Sequence, residues 1–512
     1  MTKMNEQFLR YSALDSACMM EIHNKFWQDI EDQGYDRTYQ MTVDLLEVLA
    51  FMQYRGMKVN HELLKETRTE VLEAAAEKQK ELDNLVGHSL NVNSSKQCQQ
   101  YFYVELGLAP IYKAKTKQVT TDDQAMQRLV RGKAGQPGLR QAKLVQDIRG
   151  LQKLYGTYLD ITFDDDGRLR GAYNPRGTKF GRLSSGKTVF DTGMNYQNLP
   201  QEFKKFLVAD DGYVLVEVDK RQAEWVVVAY FSNDANMIQA IQQGVDVHSY
   251  TASRMFDLPI EVVLYENKVI GHETNGESVH KLRMDDEVLR KLYTPKWPRT
   301  MSLRQCGKKS NHGLNYDEGF MNFAMLNEME PGEAKKVVAM YHDIYPGIRK
   351  SYEVIKRQLQ KDRTLSNCFG RKVRFMGEWG NDLWKSSYSM IPQSTVVDSL
   401  NQGMVRIYND TWITQTLDVD ILAQVHDSIL MQVPMKVARD RQKFDSFLHK
   451  VYDYTSPTLS YNGNDFKIAT DAKVGMNWGG ENKKQNKVGM RDYTTYDDMI
   501  TLLEQANGSG TL

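Results

Sequence analysis

One predicted strand that ends on an acidic residue constrains the fold of this chain more than any other feature. Val214, Val216 and Val218 alternate with polar or mixed positions, which is typical of a strand with one face on a hydrophobic core. The strand delivers Asp219 to its end, and the run 222–231, mostly apolar after its third residue, predicts a helix that begins there. A carboxylate is therefore expected at the junction between a buried strand and a helix.

A second acidic residue, far along the chain, occupies a comparable place. Residues 421–425 and 429–433 are short apolar runs, and residues 426–428 between them predict a tight hairpin with Asp427 at its tip. A single aspartate at a strand end is usually a turn residue. Two such carboxylates, however, are the oxygen ligands that a two-metal phosphoryl-transfer site needs.

A third segment carries positive charge at regular intervals. Arg304, Lys308, His312 and Tyr316 are spaced by four, so on a helix they form one drifting stripe. Taken alone, this stripe is also compatible with a basic surface helix. Together with the two carboxylates it favours binding of a triphosphate at one end and a base at the other.

These three segments resemble, in order, the polymerase motifs of the family A DNA polymerases. In this chain the first motif is Asp219, Gln222 and Glu224, the second is the stripe from Arg304 to Tyr316, and the third is the hairpin with His426 and Asp427. Supporting motifs of the same family are similar to the segments Thr178–Ser185, Asn195–Pro200, Gly244–Ala252, Thr364–Arg374 and Pro392–Gln393. The similarity runs from about residue 8 to residue 479.

The resemblance implies an α+β, multi-subdomain fold of the right-hand polymerase type, with an antiparallel-sheet palm, helical fingers and a helical thumb. It also implies template-directed addition of deoxynucleotides to a primer 3′ end in DNA replication. The expected divisions are 1–40 as a remnant of an exonuclease domain, 41–195 as thumb and palm entry, 196–235 and 341–480 as palm, 236–340 as fingers with an insertion at about 259–298, and 481–512 as a tail.

Roles for individual residues also follow from the resemblance. The expected cofactor is a pair of Mg²⁺ ions held by Asp219, Asp427 and the backbone carbonyl of Lys220. The expected catalytic residues are Asp219, Asp427, Lys308 and Arg304. The expected nucleotide-binding residues are Gln222, Glu224 (as a steric gate against ribose), His248, Arg304, Lys308, His312 and Tyr316. The expected DNA-binding residues are Arg182, Gln393, His426, Lys153, Arg149, Asn198, Arg371 and Lys385.

Charge and composition are consistent with this reading. The chain of 512 residues has no net charge, but residues 111–153 carry ten Lys or Arg against three Asp, and a locally basic module can bind DNA. The four cysteines are scattered without a metal-binding spacing, and no run is apolar enough to span a bilayer. A reducing, cytoplasmic setting without membrane attachment is expected.

Several positions depart from the family pattern. The family usually has Phe or Tyr at His312, Glu at Ser428 and Arg at Val226, which indicates a diverged member of bacteriophage type. Tyr11 and Asp15 resemble the final motif of a proofreading exonuclease. Only one acidic residue precedes Asp15, so no proofreading is expected on this chain, and Asp15 is expected on a helix surface.

Two other functions remain open at this point. Single-subunit RNA polymerases share the same architecture, although Glu224 at the gate favours deoxynucleotides. A catalytically inactive DNA-binding protein could keep the fold, although it would have no need of both Asp219 and Asp427. The expected partners are primer–template DNA and dNTPs, with a separate exonuclease, helicase or processivity factor as further candidates, and a monomer is expected.

Overall fold

The structure is a computed structural model that describes residues 6–113, 116–131, 138–271, 273, 276–327 and 329–508. Parts of four predicted regions lie outside the described residues. They are positions 1–5 of the N-terminal helix, positions 114, 115 and 132–137 of the basic stretch, positions 272, 274 and 275 of the insertion, and positions 509–512 of the tail.

Helices make up most of the described chain. In chain order they are α1 (Glu6–Asp32), α2 (Asp36–Val43), α3 (Leu45–Arg55), α4 (His61–Val86), α5 (Ser95–Gln99), α6 (Asp123–Arg131), α7 (Arg140–Lys153), α8 (Gln201–Lys204), α9 (Ala223–Ser232), α10 (Ala235–Gln242), α11 (Val247–Phe256), α12 (Ile260–Ile270), α13 (Gly276–Asp285), α14 (Glu287–Leu292), α15 (Leu303–Leu314), α16 (Phe320–Asn327), α17 (Pro331–Ile344), α18 (Pro346–Asp362), α19 (Asn381–Asn409), α20 (Met435–Ala438), α21 (Arg441–Thr455) and α22 (Tyr496–Gly508).

The strands are short and mostly antiparallel pairs. They are β1 (Lys58–Val59), β2 (Ala172–Asn174), β3 (Ser184–Gly186), β4 (Leu207–Val208), β5 (Tyr213–Lys220), β6 (Thr364–Ser366), β7 (Lys372–Arg374), β8 (Asp420–Val425), β9 (Ser428–Pro434), β10 (Leu459–Tyr461), β11 (Asn464–Phe466), β12 (Thr470–Gly475) and β13 (Arg491–Tyr493). Three π-helical segments (Gln100–Glu105, Leu154–Leu159, Trp412–Thr416) and one 3₁₀ turn (Tyr196–Asn198) complete the described elements.

The main sheet has five antiparallel strands in the order β13-β12-β5-β9-β8. The strand predicted around Val216 is β5, which lies at its centre, and the predicted hairpin is β8 and β9. In this register Asp219 lies opposite Ser428 on one side and opposite Asp471 on the other. The expected α+β class with an antiparallel palm sheet is confirmed.

Separate hydrophobic clusters underlie the regions around the sheet. The palm cluster joins β5, β8, β9 and β12 to α3, α19 and α21, and a second cluster joins α9, α17 and α18 with part of α19. A third cluster, with Leu82, Phe102 and Ile148, lies between α4, the π-helical segment after α5, and α7. The predicted helical and basic stretch before residue 160 thus has a core of its own.

The predicted insertion forms three helices, α12, α13 and α14. α12 and α14 contribute Val263 and Leu289 to a small cluster that also contains Ala252, Trp297 and Leu303. Because Leu303 is the first residue of α15, this cluster ties the insertion to the helix that carries the basic stripe.

The C-terminal segment packs on the palm and adds to its sheet. β13 pairs with β12, with Ala472 opposite Tyr493, and so extends the sheet by one strand. After β13 comes α22, which buries Met499, Leu502, Leu503 and Ala506 against the palm core. The sequence did not predict β13, because its three residues show no clear alternation.

At the other end, α1 is a helix of 27 residues whose described side chains are mostly exposed. Asp15 lies on its exposed surface, as expected. Across the described ranges, no helix is both long and apolar enough to cross a membrane.

Replacement of Leu502 by alanine should lower the free energy of unfolding of the palm by about 2–5 kcal/mol, because a fully buried side chain leaves a cavity. Thermal or urea unfolding measures the loss. Ile500→Ala is the matched control on the same helix, since Ile500 is 37% exposed, and it should change stability by less than about 0.5 kcal/mol. Equal losses in both variants would show that α22 does not pack as described.

Candidate active site

The sheet brings the two predicted carboxylates together. Asp219 is the penultimate residue of β5, and Asp427 lies in the two-residue turn between β8 and β9. The Lys220 N–H donates to the Asp427 carbonyl oxygen at 3.1 Å, which holds the two strand ends side by side. His426 adopts a left-handed conformation (φ 53°), and its N–H donates to Gln197 Oε1 at 2.9 Å. The carboxylates therefore project from a braced junction.

The electrostatics of this junction disfavour negative charge. Burial, followed by the nearby charges of Glu217 and Asp427, raises the pKa of Asp219 to about 6. Burial also raises the pKa of Asp427, with Glu224 as the next cause. Among the described residues neither aspartate forms an ion pair, and the buried Asp427 Oδ1 has no hydrogen-bond partner. The carboxylates of Asp219 and Asp427 are therefore suited to bind a cation.

A divalent cation fits these groups. Mg²⁺ is commonly bound through one or two carboxylates, with substrate phosphates and water as the remaining ligands. Within the described ranges no cluster of three or more His, Cys, Asp or Glu side chains forms a ready-made metal site. Asp219 and Asp427 could hold the predicted Mg²⁺ ions only together with further oxygen ligands, such as substrate phosphates and water. The role of the Lys220 carbonyl oxygen as a metal ligand stays a prediction.

The side chain of Lys220 points away from this junction into the interior. Its Nζ donates to the Thr455 carbonyl oxygen and, at 3.2 Å, to Ser399 Oγ. Burial lowers the pKa of this ammonium group to about 7. The side chain thus anchors β5 on α19 and α21.

Glu224 is held from two sides. It lies in the first turn of α9, which begins after Gln222 takes up a left-handed conformation (φ 51°). The Arg182 Nη2 donates to Glu224 Oε1, and the Tyr316 hydroxyl donates to Oε2 at 2.5 Å. Tyr316 was predicted on the helix with the basic stripe, but α15 ends at Leu314 and Tyr316 lies in the turn that follows. That turn directs its hydroxyl onto Glu224.

The rest of the predicted stripe follows α15 as expected. Lys308 and His312 face the same cleft as the carboxylates, and the His312 ring lies 5.8 Å from the ring of His248 on α11. Burial lowers the pKa of His248 to about 4, so its imidazole is neutral at pH 7, and burial also lowers the pKa of His312. Asn311 Nδ2 donates to His248 Nδ1 at 3.0 Å, which leaves the other ring nitrogen as a donor toward the cleft.

Arg304 does not line the cleft. Its guanidinium binds Asp246 through two contacts, Nε to Oδ2 at 3.0 Å and Nη2 to Oδ1 at 2.9 Å. Asp246 also caps α11 and accepts from Gln222 Nε2 at 3.3 Å. The predicted contact of Arg304 with a nucleotide would require this ion pair to open or to be shared.

The cleft has a volume of about 780 Å³ and gathers most of the predicted site residues. Those that line it are Asp219, Lys220, Gln222, Glu224, His248, Lys308, His312, Tyr316, Arg182, Gln393, His426 and Asp427. Five predicted DNA-binding residues do not line the cleft. Asn198 is exposed on its 3₁₀ turn, and the other four are Lys153, Arg149, Arg371 and Lys385.

Two of these four have their charged groups engaged within the protein. The guanidinium of Arg371 is buried and bound to Asp398, so its predicted contact with DNA would have to break that pair. Arg149 donates to the carbonyl oxygens of Val92 and Thr121 at 2.7 and 2.6 Å. Lys153 is exposed and Lys385 is half-buried, and all four roles stay predictions.

The sequence analysis missed an acidic side chain and two basic ones in the cleft. Glu217 shares a face of β5 with Asp219, and it accepts hydrogen bonds from Ser428 Oγ and Trp478 Nε1, both at 3.1 Å. Its place two residues before Asp219 was a readable signal, since alternate strand residues share a face. Lys204 and Lys473 also line the cleft, and only the tertiary fold brings them there.

Comparison with known proteins gives consistent matches. The model of DNA polymerase family A matches residues 61–275 and 290–480, and the gap between them falls within the predicted insertion. DNA polymerase I of Pseudomonas aeruginosa is 24% identical over 493 residues, covering 92% of this chain and 48% of the relative. The thermostable DNA polymerase I of Thermus aquaticus is 26% identical over 414 residues, covering 77% and 43%.

The chain therefore spans about half the length of the curated relatives that it matches. Among solved structures, the POL domain of Pol1 from M. smegmatis, in complex with DNA primer–template and dNTP, superposes with a TM-score of 0.69. The match covers 85% of this chain and 70% of that one at 24% identity, which shows a shared fold.

Replacement of Asp219 by asparagine should stabilise the protein in chelator at pH 8. Because the pKa of this carboxyl is raised to about 6 in the folded state, the protein loses stability as the pH rises from 4 through 6 and the carboxyl ionises. Asparagine cannot ionise, so it removes this loss. The gain should be of order 1–3 kcal/mol at pH 8 and should vanish near pH 4. Thermal unfolding across this range measures it.

Asp453→Asn, on the exposed face of α21, is the control for removal of one carboxylate outside the cleft. Added Mg²⁺ should narrow the gap between Asp219→Asn and wild type, because a cation favours the ionised carboxylate. Equal unfolding temperatures of the two proteins in chelator at pH 8 would contradict the described burial of Asp219.

Proposed function

Because the chain belongs to DNA polymerase family A, we propose that it catalyses the template-directed addition of deoxynucleotides to the 3′ end of a DNA primer. The observation that carries this proposal is the convergence in one cleft of Asp219 and Asp427 with Lys308 and His312 of α15. Acidic groups for a metal and a cationic group for a triphosphate in one cleft are what phosphoryl transfer needs.

Asp219 and Asp427 would hold the metal ions, with the Lys220 carbonyl as a further ligand. When bound, two Mg²⁺ ions would lower the pKa of the primer hydroxyl and offset charge on the triphosphate. The raised pKa of Asp219 supports this assignment, because a carboxylate that is costly to ionise alone gains most from a cation. Nearby Glu217 adds negative charge to the same wall.

The nucleotide would lie against α15. Lys308 would bind the phosphates as a point charge, and neutral His248 would donate one hydrogen bond to them. Gln222 and Arg304, now joined through Asp246, form a polar group beside these residues. Arg304 would reach the triphosphate by exchanging the carboxylate of Asp246 for phosphate oxygens, which guanidinium groups bind in the same bidentate manner.

Glu224 would select the sugar. Arg182 and Tyr316 fix its carboxylate in the cleft, so its bulk has a defined position. His312 lies next to it along the cleft and would contact the deoxyribose. Arg182, Gln393 and His426 would meet the minor-groove side of the primer terminus, where acceptor atoms are shared by all correct base pairs.

More distant residues would bind the duplex backbone. Lys153, Asn198 and Lys385 are candidates with accessible side chains, while Arg149 and Arg371 would have to give up internal partners. The domain divisions, the bacteriophage source, the lack of proofreading, the monomeric state and the separate protein partners stay predictions.

Primer extension with Mg²⁺ tests the function. The wild-type chain should extend a primed DNA template, while Asp219→Ala and Asp427→Ala should each lose at least about a thousandfold in rate, or about 4 kcal/mol of the barrier. Both variants should bind primer–template with nearly unchanged affinity, measured by fluorescence anisotropy. Asp453→Ala is the control and should extend normally. A tenth of the wild-type rate in either variant would contradict the assignment.

Substitution of Glu224 should relax sugar selection. In Glu224→Ala the ratio of kcat/KM for dNTP over NTP should fall by at least about tenfold, because the bulk that excludes a 2′-hydroxyl is gone. Glu224→Gln keeps that bulk and is the matched control, so its ratio should stay closer to wild type. An unchanged ratio in Glu224→Ala would place the gate elsewhere. Preference of the wild type for NTPs would favour an RNA polymerase instead.

A further inference from the structure

The most buried ion pair in the described part of the chain lies in the insertion, outside the cleft. Glu266 on α12 and Arg283 on α13 have side chains that are 0% and 1% exposed, and Arg283 Nε and Nη2 contact Glu266 Oε1 at 3.0 and 2.5 Å. Burying two charges costs several kcal/mol per ion unless their remaining donors and acceptors are also satisfied. The remaining contacts of this pair therefore indicate its role.

Among the described residues, the remaining hydrogen bonds of the pair all go to the segment that leads into α15, and the guanidinium also lies 5.4 Å from the centre of the Trp297 ring. Arg283 Nη1 donates to the Pro298 carbonyl oxygen at 2.6 Å, and Nη2 donates to that of Met301 at 2.9 Å. On the other side, Glu266 Oε2 accepts from the N–H of Leu303 at 2.9 Å. Leu303 is the first residue of α15, so the pair holds the backbone on both sides of the helix start.

A neighbouring contact reinforces the same junction. Ser302 is fully buried and caps α15 by accepting from the Gln305 N–H at 3.2 Å. The Ser302 hydroxyl in turn donates to Asn267 Oδ1 on α12 at 2.9 Å. Leu303 itself packs in the cluster of the insertion. The first turn of α15 is thus attached to the insertion through backbone, cap and side chain.

The position of this turn matters for the cleft. Arg304 follows Leu303 directly, and Lys308 and His312 lie one and two turns further along the same helix. A helix moves as a rod with a rise of about 1.5 Å per residue, so a tilt at its first turn displaces every side chain along it. Misplacement of a binding group by about 1 Å can cost about a hundredfold in rate.

We propose that Glu266 and Arg283 are positioning residues for nucleotide binding, and that the insertion serves to fix the start of α15. Neither residue lines the cleft, and both act through the backbone of residues 298–303. The proposal rests on the proposed function, since the group to be positioned is the nucleotide triphosphate. The competing explanation is that the pair only holds the insertion together.

The test is a double variant, Glu266→Leu with Arg283→Met. Replacing a buried ion pair by apolar side chains of similar volume is often neutral for stability. It would nevertheless remove the contacts to Pro298, Met301 and Leu303. The control is Glu287→Ala with Lys291→Ala, which breaks an exposed ion pair at 2.9 Å within α14 of the same insertion. Thermal unfolding establishes that both variants are folded.

Two readouts separate positioning from simple structural support. In single-turnover primer extension, the nucleotide KM of the double variant should rise by about tenfold or more, while primer–template affinity stays within about twofold. Hydrogen exchange of the Leu303 amide should become at least about tenfold faster, because its acceptor is lost. The control should match wild type in both measurements.

Wild-type KM and wild-type Leu303 exchange in the folded double variant would overturn the proposal. Faster exchange without a change in KM would also overturn it, since the pair would then be structural only. If the double variant does not fold, Glu266→Gln decides by the same two readouts, because its single amide oxygen cannot replace both the carboxylate oxygen that faces Arg283 and the one that faces the Leu303 N–H. If wild type extends no primer, the proposed function fails, and exchange alone still tests the attachment of α15.

Discussion

The pairing of β5 with its two neighbours is the constraint on which the rest of the molecule depends. Its register with β9 sets Asp219 opposite Ser428, and the bond from the Lys220 N–H to the Asp427 carbonyl oxygen joins the two strand ends. A slip of one residue would turn Asp219 to the opposite face of the sheet. Since only two residues separate β5 from α9, the place of Glu224 follows from the same register.

This arrangement carries an energetic cost that the remainder of the palm offsets. In the described part of the chain Asp219 and Asp427 form no ion pair, Asp219 lies near Glu217, and the buried Oδ1 of Asp427 lacks a hydrogen-bond partner. A fold selected for stability alone would avoid such a group. The apolar core beneath the sheet is extended by β13 and α22 at the C-terminal end. Burial of its side chains stabilises the fold and offsets the cost of the buried carboxylates.

On the side of the cleft formed by α15, the binding residues are held in place by the contacts of that helix. α15 approaches α11 so closely that a side chain at Gly307 would meet the carbonyl oxygen of His248, with a Cβ only 2.2 Å away. Asp246 holds Arg304, and the insertion holds the start of the helix. The helix is thereby fixed at its beginning and along its length. A rigid helix can present charge to a ligand without the entropy loss of ordering flexible side chains and backbone on binding.

Local periodicity and turn residues in the sequence specify the strand that carries Asp219, the hairpin around Asp427 and the helix with Lys308. Which partner each charged side chain meets follows only from the three-dimensional packing. Arg371 binds Asp398, Arg304 binds Asp246, and the C-terminal segment adds a strand to the palm sheet. Periodicity shows which face of an element is buried, whereas the partner across that face depends on strand register and helix packing between residues distant in the chain.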